Sequence, residues 1–171
     1  MKKIKITSLL ILIVLFTGCT PEYNVTIANA TITEELIINN DNNSISKRFS
    51  DLYSIVESEK KYEYNKQGNT ATFKYNYSFP EFDNSNLIKS CYNAYNFFEE
   101  DDHYVLQTDS EFTCYPLQVS DYEIINYDEL KINIKIVGYD VIEHNADSIS
   151  KNVYSWNINN DNYKNKPIII K

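Results

Sequence analysis

The sequence predicts an α+β domain in which an antiparallel β-sheet carries two helices on one face. Several segments alternate apolar and polar residues with the period of a β-strand, and two others place apolar residues at helical spacing. The predicted order is strand, helix, hairpin, helix and then further strands. Only three Gly and four Pro occur in 171 residues. Long flexible linkers are therefore not expected, and one domain is predicted.

The first predicted elements are a strand pair and a helix. Residues 23–38 alternate in hydrophobicity, which predicts one strand or a pair of strands. In residues 44–60, apolar residues recur at spacings of four, three and four after Ser44, a residue suited to capping a helix. The apolar residues of this predicted helix are Ile45, Phe49, Leu52 and Val56.

A hairpin and a second helix follow. The hairpin turns at Gln67-Gly68-Asn69, and its second strand places four aromatic residues on one face, where we expect them to form core. These residues are Phe73, Tyr75, Tyr77 and Phe79. Residues 84–98 predict the second helix, because Leu87, Cys91, Tyr95 and Phe98 share one helical face. Later strands are predicted in residues 103–108, 110–117, 129–142, 152–158 and 166–170.

Residues 1–18 have the pattern of a secretory signal. Three lysines precede an apolar run from Leu9 to Phe16, which is too short to span a bilayer as a helix. Small residues, Thr17 and Gly18, come next, as a signal peptidase requires. We expect export, and residues 19–171 are then the single extracytoplasmic domain.

The end of this signal resembles the lipobox of bacterial lipoproteins. Its residues are Leu15-Phe16-Thr17-Gly18-Cys19, with Phe16 at the place where Leu, Val or Ile is usual. The resemblance implies that the Cys19 thiol takes a diacylglyceryl group and that cleavage follows on its amino side. The protein would then be held by lipid on the extracytoplasmic face of the cell membrane. A plain signal with an incidental cysteine is the alternative.

Charge narrows the range of partners. The full chain has a formal net charge of −8, and residues 1–18 contribute three lysines and no acid, so the processed chain is more acidic still, at −11. This balance argues against nucleic acid, whose binding requires cationic side chains. It also argues against a polybasic attachment to anionic lipid, so acyl chains are the predicted membrane anchor.

Two cysteines remain after Cys19, namely Cys91 and Cys114. In an oxidising compartment an even number of cysteines favours a disulfide. A bridge between positions 91 and 114 would contribute about 3 kcal/mol in the chain-entropy model. A pair of buried reduced thiols is the alternative. A metal site is less favoured, because the chain offers only His103 and His144 as further nitrogen ligands.

The two histidines are also the candidate general bases. His103 follows Glu99-Glu100-Asp101-Asp102, which we interpret as a charged loop rather than a cation site. His144 precedes Asn145-Ala146-Asp147, interpreted as a hairpin turn. Phosphate-binding, nucleophile-elbow and zinc-protease motifs are missing from the sequence. We therefore expect a protein that is not an enzyme, with no catalytic residue, metal or cofactor.

The segment 134–158 resembles the closing segment of the LppM-like family of cell-envelope lipoproteins. The residues that support this resemblance are Gly138, Val141, Asn145, Val153 and Trp156. It implies an α+β exterior domain with a lipid-related or uncharacterised envelope role. Many members carry a membrane helix after the domain, whereas this sequence stops at Lys171 without one. Trp156 itself is interpreted as a core residue.

Three functions stay open at this point. The first is a non-enzymatic lipoprotein that binds an envelope protein, lipid or glycan. The second is a lipid or glycolipid carrier with an internal apolar cavity. The third is a hydrolase without a recognisable motif, which would gather polar groups with shifted pKa values in a cleft.

Overall fold

The computed structural model describes residues 21–39, 63–84, 87–112 and 129–171. These residues form ten strands and two short helices. The elements are β1 (Glu22–Ala28), β2 (Thr31–Ile38), β3 (Glu63–Gln67), β4 (Thr70–Ser78), α1 (Phe79–Asn84), α2 (Leu87–Cys91), β5 (Tyr95–Glu100), β6 (His103–Thr108), β7 (Glu129–Val137), β8 (Ser148–Ser150), β9 (Val153–Asn159) and β10 (Ile169–Ile170).

The prediction of an α+β fold with two helices packed on one face is wrong. The described part of the chain is mostly β and forms two sheets, with helices of only six and five residues. The first predicted helix, 44–60, lies outside the described residues. The second predicted helix, 84–98, ends at Cys91, and its latter part is strand β5.

The larger sheet has seven strands in the order β3-β4-β2-β1-β7-β9-β8. It is mixed rather than purely antiparallel, because β1 and β7 pair in parallel while every other neighbouring pair is antiparallel. The smaller sheet has the order β10-β6-β5 and is antiparallel.

One face of the larger sheet forms the core. In β1, β2, β4 and β7, every second residue is buried, as the period of two along a strand requires. Phe73, Tyr75, Tyr77 and Phe79 are all buried, so the prediction that these aromatics form core is confirmed. Trp156 of β9 is fully buried in the same cluster, as expected of a core residue.

One core-facing position carries a carboxyl group. Glu34 of β2 is only 2 % exposed, and its neighbours across the sheet are Val25 of β1 and Tyr75 of β4. The Tyr23 hydroxyl donates a hydrogen bond to this carboxyl group. Such a bond reduces the cost of removing a polar group from water.

Helix α1 joins the two sheets. The Ser78 amide and hydroxyl both donate to Glu81 Oε2, at 2.8 and 2.6 Å, so the Glu81 carboxylate satisfies the amide that precedes the helix, as one half of a capping box does. Phe82 then lies between the sheets, with ring centroids 6.0 Å from Tyr77 of β4 and 5.4 Å from Phe97 of β5. The aromatic core therefore continues from one sheet into the other.

Tight turns connect the antiparallel strands. Asn29 and Ala30 between β1 and β2, and Asp101 and Asp102 between β5 and β6, all have positive φ. Two such residues in succession are typical of the type I′ hairpin turn, which matches the twist of the flanking strands. The acidic run before His103 is therefore not a loop that follows a helix, because Glu99 and Glu100 end β5 and Asp101 and Asp102 form the hairpin turn. The predicted turn at Gly68 is confirmed between β3 and β4.

Candidate functional site

An apolar cavity of about 340 Å³ opens at one end of the larger sheet. Ile27 and Ile136 lie near the ends of the parallel strands β1 and β7 and form part of its wall. The β5–β6 hairpin, the start of α1, the segment after β7 and the end of β10 complete it. The remaining lining residues are Phe79, Phe97, Asp102, His103, Tyr104, Leu106, Tyr139, Asp140, Val141, Ile142, Ile170 and Lys171.

Aromatic rings dominate one side of the cavity. Phe79 packs nearly perpendicular to Tyr104 and Phe97, with ring centroids 4.8 and 5.4 Å apart. Tyr104 in turn meets Tyr139 at 6.0 Å and 87°. Edge-to-face contacts of this kind favour defined ring positions. These ring–ring contacts therefore hold the side chains of this wall in defined positions.

The segment after β7 adds Tyr139 to these rings and also forms part of the mouth. It begins at Gly138, whose φ of +80° lies in the left-handed region that favours glycine. The Ala30 amide donates to the Tyr139 hydroxyl at 3.0 Å, which ties this segment to the β1–β2 turn. Ile142 is 68 % exposed although it lines the cavity, so it stands at the opening. The sequence had predicted a strand through this segment, but the strand ends at Val137.

Backbone hydrogen bonds hold the mouth against the C-terminal strand. The Ile142 amide donates to the Lys171 carbonyl at 2.8 Å, and the Lys171 amide donates to the Glu143 carbonyl at 2.8 Å. A side-chain ion pair joins Lys171 Nζ to Glu143 Oε2 at 2.7 Å. The mouth is therefore fixed by both backbone and side chains.

Few polar groups face the cavity. Asp102 and Asp140 are exposed at the mouth, beside the partly exposed His103. Burial raises the pKa of the Tyr104 hydroxyl, and nearby Glu99 and Tyr139 act in the same direction. Within the described ranges, no group of three or more His, Cys, Asp and Glu side chains is arranged to hold a metal ion.

A second depression, of about 410 Å³, lies on the outer face of the larger sheet and is polar. Asn133 donates to Asn24 Oδ1 at 2.8 Å, and Ser155 donates to Asn133 Oδ1 at 2.7 Å. These side chains bond to one another across three strands. The apolar cavity is the better candidate for a ligand site, because small-molecule sites are lined mainly by apolar and aromatic side chains with a few polar groups.

The residues predicted as sites from the sequence have different outcomes. Cys19 and Cys114 lie outside the described residues, while Cys91 is buried at the end of α2. The lipid anchor and the Cys91–Cys114 disulfide therefore stay predictions. Among the described residues, no helix is both long and apolar enough to cross a membrane.

The two histidines have separate positions. His103 lines the cavity mouth, and its Nδ1 lies 3.3 Å from the Asp101 carbonyl oxygen. His144 is outside the cavity lining, with its ring 5.0 Å from that of Tyr154 and its Nδ1 accepting from the Ala146 amide. The predicted hairpin turn after His144 lies instead at residues 151–152, between β8 and β9.

Sequence reasoning missed most of the cavity. Its walls come from segments far apart in the chain, which no local pattern brings together. Two local signals were nevertheless present. The capping box Ser78-Phe79-Pro80-Glu81 predicts a helix start at Phe79, and a glycine directly after an alternating strand, Gly138, indicates where β7 ends.

Comparison with protein-family models, curated proteins and solved structures finds no match to this chain. The resemblance of residues 134–158 to LppM-like lipoproteins therefore stays a prediction.

Proposed function

We propose that this protein is a lipid-anchored extracytoplasmic binding protein, not an enzyme, and that it holds the apolar part of a small amphiphile. The observation that supports this proposal is the cavity of about 340 Å³, lined mainly by aromatic and aliphatic side chains with charges confined to its mouth. Small-molecule sites have this character and start at about 300 Å³. An apolar tail would occupy the interior, and a polar head would remain near solvent.

Photolabelling with 3-azioctanol, a neutral photoreactive alcohol, tests the binding half of the proposal. The probe would be applied to the intact lipoprotein in nanodiscs of zwitterionic lipid, with unlabelled octanol as competitor. We expect saturable incorporation that octanol prevents. Incorporation that octanol leaves unchanged would contradict a defined site.

A matched pair of variants assigns the labelling to the cavity. Ile142→Asp places a charge at the mouth, whereas Ile149→Asp makes the same change at a half-exposed residue of β8 that does not line it. We expect the first variant to reduce incorporation about fivefold, from the loss of roughly 1 kcal/mol of apolar contact. Equal labelling of the two variants would contradict the assignment.

The anchor half has a separate test. We expect Cys19→Ser to leave an unprocessed or misprocessed precursor that no longer partitions into the detergent phase, because only a thiol forms the thioether that the lipobox resemblance implies. Partitioning equal to that of the wild type would overturn the lipid anchor without bearing on the cavity.

A further inference from the structure

The charges at the cavity mouth indicate which headgroup would be favoured there. Asp102 and Asp140 are exposed carboxylates that line the cavity. Among the described residues, Lys171 is the one lysine that lines the cavity, and its ammonium lies 2.7 Å from a carboxylate oxygen of Glu143. The positive charge of Lys171 is therefore compensated locally, and the described residues at the mouth present a net negative charge to a ligand.

The aromatic rings of the cavity also favour a cationic headgroup. Among the described residues, four Phe and Tyr rings line the cavity, those of Phe79, Phe97, Tyr104 and Tyr139. Tyr139 is also 39 % exposed, so it is the ring of this wall that solvent reaches most readily. The face of an aromatic ring attracts cations, and this attraction is the usual means by which proteins recognise substituted ammonium groups. Rings and carboxylates lining one cavity thus both favour a cation.

We propose that the ligand is an alkylammonium amphiphile, with its tail in the apolar interior and its ammonium head at the mouth, near the ring of Tyr139 and the carboxylates of Asp102 and Asp140. This inference rests on the proposed binding function and adds the charge of the headgroup. The formal net charge of −8 acts in the same direction, since an acidic protein attracts cations and repels anions at long range.

Competition among ligands of equal chain length tests the headgroup. Octyltrimethylammonium, octanol and octanoate would compete with 3-azioctanol for the intact lipoprotein in zwitterionic nanodiscs, below their micellar concentrations. We expect octyltrimethylammonium to compete at the lowest concentration and octanoate at the highest. Raised salt should narrow the difference, because the carboxylates at the mouth are exposed.

Two sets of variants locate the charge effect. Asp102→Asn and Asp140→Asn should each weaken competition by octyltrimethylammonium about two- to fivefold, the range of exposed charge pairs, and leave octanol unchanged. Glu129→Gln removes an exposed carboxylate at the far end of β7 and should change neither ligand.

The results of these competition experiments distinguish the ammonium headgroup from the proposed binding function. If octanol displaces the probe but octanoate competes as well as octyltrimethylammonium, the proposed ammonium headgroup is wrong. The proposed apolar binding site is then still supported. If Glu129→Gln weakened competition by octyltrimethylammonium as much as Asp140→Asn does, the proposed role of the carboxylates at the mouth would also be overturned. If none of the three ligands displaces the probe, the binding function itself fails.

Discussion

Asn145 joins the C-terminal strand to the core through its side chain. Its Oδ1 accepts two hydrogen bonds of 2.8 Å, from the Trp156 indole nitrogen and from the Ile169 amide, and its Nδ2 donates to the Pro167 carbonyl at 2.8 Å. Trp156 is fully buried, so water cannot readily replace its acceptor. Asn145→Ala removes all three bonds at once.

The expected cost follows from the groups left behind. A buried donor without its acceptor costs about 1–3 kcal/mol, and this variant deprives two donors, the Trp156 indole and the Ile169 amide. Because Ile169 lies nearer to solvent than Trp156, we expect a total of about 2–5 kcal/mol. For a domain of this size that corresponds to a fall in Tm of about 5–15 °C.

Thermal unfolding followed by circular dichroism measures this loss. Asn145→Asp retains the Oδ1 acceptor and should lose less stability than Asn145→Ala. Asn96→Ala, at an exposed position of β5, is the matched control and should stay within about 0.5 kcal/mol of wild type. If Asn145→Ala had the same Tm as Asn96→Ala, the stabilising role of the Asn145 side chain would be refuted.

Three further predictions concern the core, a turn and the cysteines. Phe73→Ala should lower the free energy of unfolding by about 3–5 kcal/mol in chemical denaturation, because Phe73 is fully buried. Phe98→Ala, at a residue 44 % exposed, should cost much less, and equal losses would contradict the core assignment. Ala30→Gly should raise Tm by about 1–2 °C, because relief of a positive φ outweighs the added freedom of the unfolded chain, and a lower Tm would contradict this strain. Thiol labelling of the denatured, unreduced processed protein should find neither Cys91 nor Cys114 reactive, and labelling of both would discard the disulfide.

Local alternation was a reliable guide to the strands. Five strands lie where the sequence predicts them, namely β1, β2, β4, β6 and β9. The first three bury every second side chain, and β6 and β9 each pair with the preceding strand across a short turn. Phe73, Tyr75 and Tyr77 are the clearest case, since their period of two is incompatible with one face of a helix. Local pattern could not predict the parallel pairing of β1 with β7, whose partners Val25 and Ile134 are distant in sequence.

The second predicted helix failed because its apolar spacing was ambiguous. Tyr95 and Phe98 fit one helical face, but they also fit a strand in which Tyr95 and Phe97 point inward and Phe98 outward. The outcome is decided by pairing with β6 through the turn at Asp101 and Asp102, because all six residues of β5 have partners in β6. This competition between local preference and hairpin pairing is not visible in residues 84–98 alone.

The candidate site was still less predictable than the fold. Its walls combine Ile27, Phe79, Tyr104, Tyr139 and Ile170, residues that come together only after both sheets have formed. The sequence left open three possible functions, one of which is a lipid or glycolipid carrier with an internal apolar cavity. It could not say which aromatics fill the core and which ones line an opening, because both kinds alternate in the same way.

Residue-level mapping of 3-azioctanol adducts by tandem mass spectrometry tests the cavity most directly. If the apolar site is real, adducts prevented by octanol will lie on the lining residues of the β5–β6 hairpin and of the segment after β7, above all Tyr104, Tyr139 and Asp140. Adducts that instead gather on exposed apolar residues away from the cavity, such as Tyr64 and Ile149, would contradict it.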